Sequence, residues 1–223
     1  MDIILNPMEA RALACLVEKA VTTPEYYPLT LSALTAACNQ KSNRDPVMQV
    51  DEKDVVRALD SLREKKLAVS VALAGSRVPK YRHTLPDLVA LTPRQLAVLC
   101  ELMLRGPQTA GELRTHAGRM FPLADTGEVQ SVLNELAARE GGALVSKFSR
   151  RVGQREERYA HLLCGALPAA ADTQATPPAL EPARLTVIAE NERIAALENR
   201  MAALADELER LKARFDDFAK QFQ

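Results

Sequence analysis

Apolar residues recur every three or four positions along several stretches of the chain, and each stretch predicts a helix. The first, NPMEARALACLVEK, begins at a capping asparagine, Asn6, followed by Pro7, and Glu9 stands three residues after the cap. A later stretch, TPRQLAVLCELMLR (92–105), has the same cap, proline and apolar spacing. The two helices therefore indicate an internal duplication.

The duplication continues through two more helices and a β-hairpin in each copy. The predicted helices occupy 29–38 and 51–66 in the first copy and 108–118 and 125–140 in the second. The hairpins end in KYRH (80–83) and RYAH (158–161). Three helices followed by a hairpin is the order of the winged-helix variant of helix-turn-helix domains. The sequence therefore predicts a mainly α protein of the α+β class, with tandem winged-helix domains at 1–84 and 85–165.

The remainder of the chain has a different pattern. Residues 166–183 are rich in Ala, Pro and Thr and predict a flexible linker. A heptad pattern over 184–223 predicts a coiled-coil-like helix that pairs two chains into a homodimer. The alternative is an amphipathic helix that folds back onto its own domains. The predicted oligomerisation residues are Ile194, Leu197, Met201, Leu204, Leu208, Leu211, Phe215 and Phe218.

Charge and composition narrow the class of function. The 29 basic and 29 acidic residues cancel, so a nucleic-acid role has to come from local clustering. A signal peptide and a bilayer-spanning apolar run are both missing, which predicts a cytoplasmic protein. The four cysteines have no CxxC spacing and predict buried free thiols. No cofactor-binding loop, metal-ligand spacing or nucleophile motif is found, so neither a cofactor nor an enzymatic activity is expected.

One block of sequence is more specific than the helical pattern. The segment from TPEYYPL to ACNQKSNRDPVM (23–48), supported by RGPQTAGELR and RYAHL in the second copy, resembles the YceH-like family of uncharacterised bacterial proteins. The resemblance covers nearly the whole chain. It implies two winged-helix domains in tandem, but no assigned reaction and no established ligand.

Basic and amide side chains in the loops and hairpins are candidate DNA contacts, because such groups neutralise phosphates or read base edges. In the loop between the second and third helices, the long cations Lys41 and Arg44 are expected to face the partner. The remaining candidates in that loop are Gln40, Ser42 and Asn43. The candidates elsewhere are Lys53 and Arg57 on the third helix, and Arg77, Lys80, Arg82, Lys147, Arg150, Arg151, Arg155 and Arg158 on the hairpins.

Structural roles compete with these assignments. Asn39, Ser42 and Asn43 could instead bond the backbone of their own turn, and the hairpin arginines could form an ordinary solvated surface. Tyr81 and Tyr159 are expected to pack at the edge of the core. The third helix of the second copy is acidic, which disfavours contact with phosphates. The sequence favours a dimeric DNA-binding protein of the transcriptional-regulator type, with a protein-binding adaptor as the alternative.

Overall fold

A computed structural model describes residues 3–72, 78–148 and 157–165. Both copies of the duplicated unit belong to one compact unit, Met1–Ala170. The predicted linker (166–183) and heptad helix (184–223), with all eight seam residues, lie outside the described residues. Their structure and the predicted pairing therefore stay predictions.

The described chain mixes helices with two small antiparallel sheets, which confirms the α+β class. Its helices are α1 (Pro7–Thr22), α2 (Leu31–Cys38), α3 (Glu52–Glu64), α4 (Leu85–Leu88), α5 (Pro93–Arg105), α6 (Ala110–Ala117) and α7 (Thr126–Ala137). Its strands are β1 (Leu29–Thr30), β2 (Ala68–Val71), β3 (Lys80–His83), β4 (Gln108–Thr109), β5 (Val145–Phe148) and β6 (Arg158–His161). We call the part from α1 to β3 the first half and the part from α5 to β6 the second half.

The helices begin where the capping residues predict. The Asn6 side chain accepts from the Glu9 backbone, and the Glu9 carboxylate accepts from the Asn6 backbone, which completes a capping box. Thr92 and Gln95 form the same reciprocal pair at the start of α5. These side chains satisfy backbone N–H groups that have no partner inside the helix.

The two halves share one topology. Their strand orders are β1-β3-β2 and β4-β6-β5. The registers also correspond, because Leu29 lies opposite Tyr81 in the first sheet and Gln108 lies opposite Tyr159 in the second. The two-residue strands β1 and β4 were not predicted, because two residues are too few to show an alternating pattern.

The core is continuous between the halves, because α1 packs directly against its counterpart α5. Leu13 and Leu16 of α1 and Leu99 and Leu102 of α5 are fully buried. Burial of each leucine contributes about 2 kcal/mol relative to an exposed one. A backbone bond from Asp45 N–H to the carbonyl of Leu104 (3.0 Å) adds a polar link between the halves.

The cysteines follow the prediction at three of four positions. Cys15, Cys38 and Cys100 are buried free thiols, whereas Cys164 is exposed. Cys164 follows β6 rather than lying in a helix, so no apolar helical face covers it.

Candidate nucleic-acid interface

Four of the candidate cations in the first half lie on α3 and β3. Lys53 and Arg57 are one helical turn apart and share a face of α3, and the Arg57 side chain is 77% exposed. On β3, Arg82 is exposed and Lys80 is half-buried. Since α3 packs against β2, the strand that pairs with β3, the helix and the hairpin are neighbouring elements of one surface layer.

The loop between α2 and α3 is held closed by its own side chains. The Asn39 amide nitrogen donates to the Val50 carbonyl, and the Asn39 amide oxygen accepts from the Val50 backbone, both at 2.8 Å. The Asn43 amide oxygen accepts from an arginine of α5 at 2.6 Å. Gln40 accepts from Arg44 at 2.9 Å. Asn39, Gln40 and Asn43 therefore have structural partners within the fold.

Arg44 points into the protein, so the prediction that it faces a partner is wrong. Its side chain is 0% exposed, and Nη2 lies 2.5 Å from Oε2 of Glu18 in α1. Its Nε and Nη2 also donate to the Ala37 carbonyl at 3.2 and 3.0 Å. The buried carboxylate needs a cation beside it, and Arg44 supplies that charge together with well-placed donors. Lys41 and Ser42, by contrast, are exposed.

Glu18 belongs to a network of charged side chains that joins the halves, which we call the interhalf ion network. Its members are the buried Glu18, Arg44 and Glu101 and the partly exposed Arg105 and Arg119. Arg119 pairs with Glu18 and lies 2.8 Å from Oε2 of Glu101. Arg105 Nε lies 2.9 Å from the other Glu101 oxygen. Burial raises the pKa of the Glu18 carboxyl, but the hydrogen bonds and charges of Arg44 and Arg119 outweigh burial and hold the pKa below its usual value.

Sequence reasoning missed this network, although one signal was present. Glu101 interrupts the apolar run LAVLCELML (96–104), where no solvated face is expected, and its side chain is 0% exposed. A carboxylate buried at such a position needs a cationic partner. One partner, Arg105, stands four residues on, a spacing that the sequence does show. The other partner, Arg119, follows another helix, and no sequence spacing identifies that pairing.

The described cations of the second hairpin have acidic partners. Lys147 Nζ lies 2.9 Å from Oε2 of Glu157 and 5.9 Å from the centre of the Tyr159 ring. The hydrogen bond to Glu157 is the main cause that raises the pKa of Lys147. Arg158 lies 3.0 Å from Oε1 of Glu112. The other predicted hairpin contacts, which lie outside the described residues, are Arg77, Arg150, Arg151 and Arg155.

The carboxylates of α7 are turned towards the fold. Glu135 accepts from Arg94 and from Gln95 of α5, both at 2.8 Å. Glu128 accepts from the Ala124 backbone at 2.8 Å. Because these charges are partly compensated, α7 repels an approaching phosphate less than its sequence indicates.

Tyrosine and histidine occupy equivalent positions in the two halves. Tyr159 is buried and Tyr81 packs against the core, which confirms the predicted packing role. Burial lowers the pKa of His83, with help from the charge of Arg82, and burial alone lowers that of His161, in each case to about 4. The Nδ1 atom of each ring is buried without a hydrogen-bond partner. Both rings are therefore neutral near pH 7 and offer no charge to a phosphate.

Within the described ranges, no helix combines the length and the apolar character that crossing a membrane requires. The protein is thus a duplicated α+β fold. In the first half, α3, β3 and the α2–α3 loop carry exposed cations, whereas the described cations of the second hairpin are ion-paired.

Comparison with known proteins places this architecture in a family. Residues 5–154 match the family described as "Protein of unknown function, DUF480", and the chain belongs to this family. It is 53% identical to a UPF0502 protein of Geobacter sulfurreducens and 55% identical to one of Geotalea uraniireducens, each over 223 residues and all of both chains. A UPF0502 protein of Vibrio atlanticus is 44% identical over 217 residues, 96% of this chain and 97% of its own. The predicted resemblance to an uncharacterised bacterial family is confirmed.

Proposed function

We propose that this protein is a non-enzymatic, cytoplasmic DNA-binding protein of the transcriptional-regulator type, and that its first half makes the main contacts. Each half has three helices followed by a hairpin, which supports the predicted winged-helix role. In helix-turn-helix proteins the second helix of the motif enters the major groove and its N-terminal residues approach the base edges. In the first half that helix is α3.

The observation that carries the proposal is the outward face at the start of α3. Lys53 and Arg57 project from this face, and the ion pair of Arg57 with Asp54 is exposed and 3.4 Å long. Such an exposed pair is weak and can be exchanged for a phosphate at little cost. Asp60 and Glu64 continue the face towards the C-terminal end of α3. The N-cap and first turn of α3 also carry carboxylates, so the cationic surface is limited to this Lys53–Arg57 face of the helix.

Neighbouring elements supply the flanking phosphate contacts. Lys41 and Ser42 are exposed in the loop before α3, and Arg82 is exposed on β3. Lys80 occupies the same strand and is half-buried. These side chains neutralise backbone charge and fix the register of the protein, while α3 supplies any base readout.

Dimerisation through the heptad helix belongs to the same proposal. Two linked DNA-binding units gain affinity because the second contact is made at high effective concentration. Replacing the seam residues Leu204 and Leu211 by Asp is expected to halve the mass in solution, as measured by light scattering, and to weaken DNA binding. A wild-type mass equal to that of one chain would instead assign the heptad helix to its own chain.

The test is a fluorescence-anisotropy titration of the full chain with a random-sequence duplex at about 50 and about 200 mM salt. Each phosphate contact contributes a slope of roughly −0.9 to the dependence of log affinity on log salt. A first-half variant carrying Lys53→Gln, Arg57→Gln and Arg82→Gln should bind all sequences more weakly and flatten this slope by about 2 to 3.

A second-half variant carrying Lys147→Gln and Arg158→Gln is the matched control, because both cations already have acidic partners. It should leave the slope unchanged. A further variant that removes Arg150, Arg151 and Arg155 together tests the predicted second-hairpin contact in the same titration. If wild type fails to bind at the lower salt, DNA is not the partner.

The second candidate is a protein-binding adaptor. Val21 in the last turn of α1 is 44% exposed, and Tyr26 in the short 3₁₀ turn that follows (Pro24–Tyr26) is 70% exposed. Exposed aromatic side chains are typical anchors of protein interfaces. A stoichiometric partner recovered from lysate by wild type but not by Tyr26→Ser, together with no DNA binding, would favour the adaptor.

A further inference from the structure

We propose that a cavity at the junction of the two halves binds an amphipathic monocarboxylate, such as a medium-chain fatty acid. The cavity has a volume of about 410 Å³, which lies within the range of small-molecule sites. Its walls come from the N-terminal segment, α4, the turn after α7 and the segment after β6. This inference goes beyond the proposed function and does not depend on DNA binding.

Backbone hydrogen bonds hold these walls together. The Leu5 N–H donates to the Leu163 carbonyl at 2.6 Å, and the Leu162 N–H donates to the Leu144 carbonyl at 2.8 Å. The Leu144 N–H in turn donates to Leu136 at the end of α7, at 3.0 Å. The cavity is therefore bounded by ordered backbone and is largely preformed.

Most of the lining is aliphatic. Its large apolar members are Ile3, Ile4, Leu88, Leu144, Leu162 and Leu163. Ile4 is 61% exposed, although its neighbour Leu5 is buried in the core. An apolar ligand body would remove such surface from water, which is favourable by about 25 cal/mol for each Å² covered.

One charged side chain, Arg139, lies in this apolar lining. In the described part of the chain, no acidic residue lines the cavity and no carboxylate pairs with Arg139. The arginines Arg105, Arg119 and Arg158, by contrast, each have a glutamate partner. Arg139 is thus a half-buried cation with an unmet capacity to donate hydrogen bonds.

The turn beside Arg139 leaves space over its guanidinium. A Cβ at Gly141 would lie 3.5 Å from Arg139 Nη1, so the guanidinium rests against a residue without a side chain. Gly141 and Gly142 have φ angles of 94° and 119°, which strongly favour glycine at both positions. A side chain that could cover the cation is therefore missing at Gly141.

One cation within an aliphatic lining determines which class of ligand the cavity can bind. A carboxylate fits the planar donor fork of arginine with two parallel hydrogen bonds. A doubly charged phosphate would keep one charge uncompensated beside apolar walls, which is costly. A neutral lipid would leave the guanidinium without an acceptor. A single carboxylate on an apolar body satisfies both parts of the cavity.

Calorimetric titration of the full chain with decanoate, below its micelle concentration, tests the assignment. Decanoate is expected to bind with a negative heat-capacity change, because apolar surface is buried. Arg139→Gln should weaken decanoate binding by about tenfold or more, since it removes a charged hydrogen-bond donor. Decanol, the neutral counterpart, should bind wild type more weakly than decanoate does and should not distinguish wild type from Arg139→Gln.

Two controls keep the result specific. Arg63→Gln removes an exposed arginine of α3 and should leave decanoate binding unchanged. Leu88→Trp fills the cavity and should abolish binding of both decanoate and decanol, with the folded state checked by circular dichroism. The proposal is overturned if decanoate does not bind wild type, or if it binds Arg139→Gln as tightly as wild type.

Discussion

The third helices α3 and α7 begin alike and then use their charges differently. Each starts at an aspartate N-cap, Asp51 or Asp125, and each buries a row of aliphatic residues against the core. On α3 the charged side chains stay at the surface, as the exposed pair of Arg57 with Asp54 shows. On α7, Glu135 is tied to α5 instead. A duplicated fold can therefore keep its core while one copy turns its charges inward.

The loops that precede these helices, by contrast, behave alike. In the first half the loop sends Arg44 inward to Glu18, and in the second half Arg119 reaches the same carboxylate from the segment after α6. One glutamate of the first half thus holds a loop from each half. The first half combines this internal role with an exposed cationic surface, whereas the second half contributes mainly to the junction.

Among single substitutions, the largest expected effect comes from breaking the junction. Arg44→Met should lower the free energy of unfolding by about 3 to 5 kcal/mol, because it leaves the buried Glu18 carboxylate with one cation fewer. Urea unfolding of the full chain at neutral pH measures this loss. Lys41→Met, an exposed change in the same loop, is the matched control and should leave the unfolding midpoint where it is. Equal stability of the two variants would contradict the buried role of Arg44.

Acidification should weaken both halves to a similar extent. The folded-state pKa of His83 and of His161 is about 4, below the unfolded value of about 6.5. As the pH falls from 6.5 towards 4, the unfolded chain binds protons that the folded chain does not, so stability decreases. The loss approaches about 3 kcal/mol for each histidine near pH 4.

Urea unfolding between pH 6.5 and 5 avoids the range in which the lowered pKa values of Glu9 and Glu18 act. Burial also lowers the pKa of His116, so the comparison is made in a His116→Gln background. In that background, His83→Gln and His161→Gln should each remove about half of the pH dependence. A dependence that survives when both are replaced would place its origin elsewhere.

A smaller effect is expected at the caps of the second helices. Thr30 accepts from the Ala33 backbone at 3.3 Å, and Thr109 accepts from the Glu112 backbone at 3.2 Å. Replacing either threonine by Ala should cost about 1 kcal/mol in thermal or urea unfolding. Thr→Ser at each position retains the acceptor and should retain most of the stability. Clearly unequal losses would show that the two copies have diverged here as well.

The smallest effects concern ion pairs at the surface. Arg94→Gln should cost about 0.5 kcal/mol, because its partner Glu135 is held at 2.8 Å and both side chains are partly covered. Arg57→Gln should leave stability almost unchanged, because its pair with Asp54 is long and exposed. Urea unfolding of both variants measures the two changes in the free energy of unfolding. If Arg57→Gln lowered stability, its effect on DNA binding would reflect a loss of folded protein.

The helices and the repeat were predictable because their signals are local. At Asn6 and at Thr92, a capping residue, a proline directly after it and an acceptor side chain three residues after the cap mark the start of a helix. The rows of apolar residues in α1 and α5 show the helical period. The match between KYRH and RYAH likewise identified equivalent strands that the structure aligns in the same register.

The direction of loop side chains was not predictable in the same way. A loop has no period, so nothing local distinguishes the inward Arg44 from the outward Lys41. Their roles depend on Glu18, a residue of α1 whose carboxylate needs a cation only once α1 is buried. The pairing with Arg119 depends in addition on how the second half packs. Such contacts follow from tertiary structure and leave little trace in sequence spacing.

The interhalf ion network also has a consequence for how the molecule comes apart. If the halves separated, Glu18 would lose its ion pair with Arg119. Arg105, the partner of Glu101, would lose its hydrogen bond to Asn43. The leucine faces of α1 and α5 would be exposed to water. Because of these losses, we expect that neither half folds on its own. Residues 3–165 should therefore melt in one calorimetric transition, and a chain cut between β3 and α5 should remain a non-covalent complex of its two fragments.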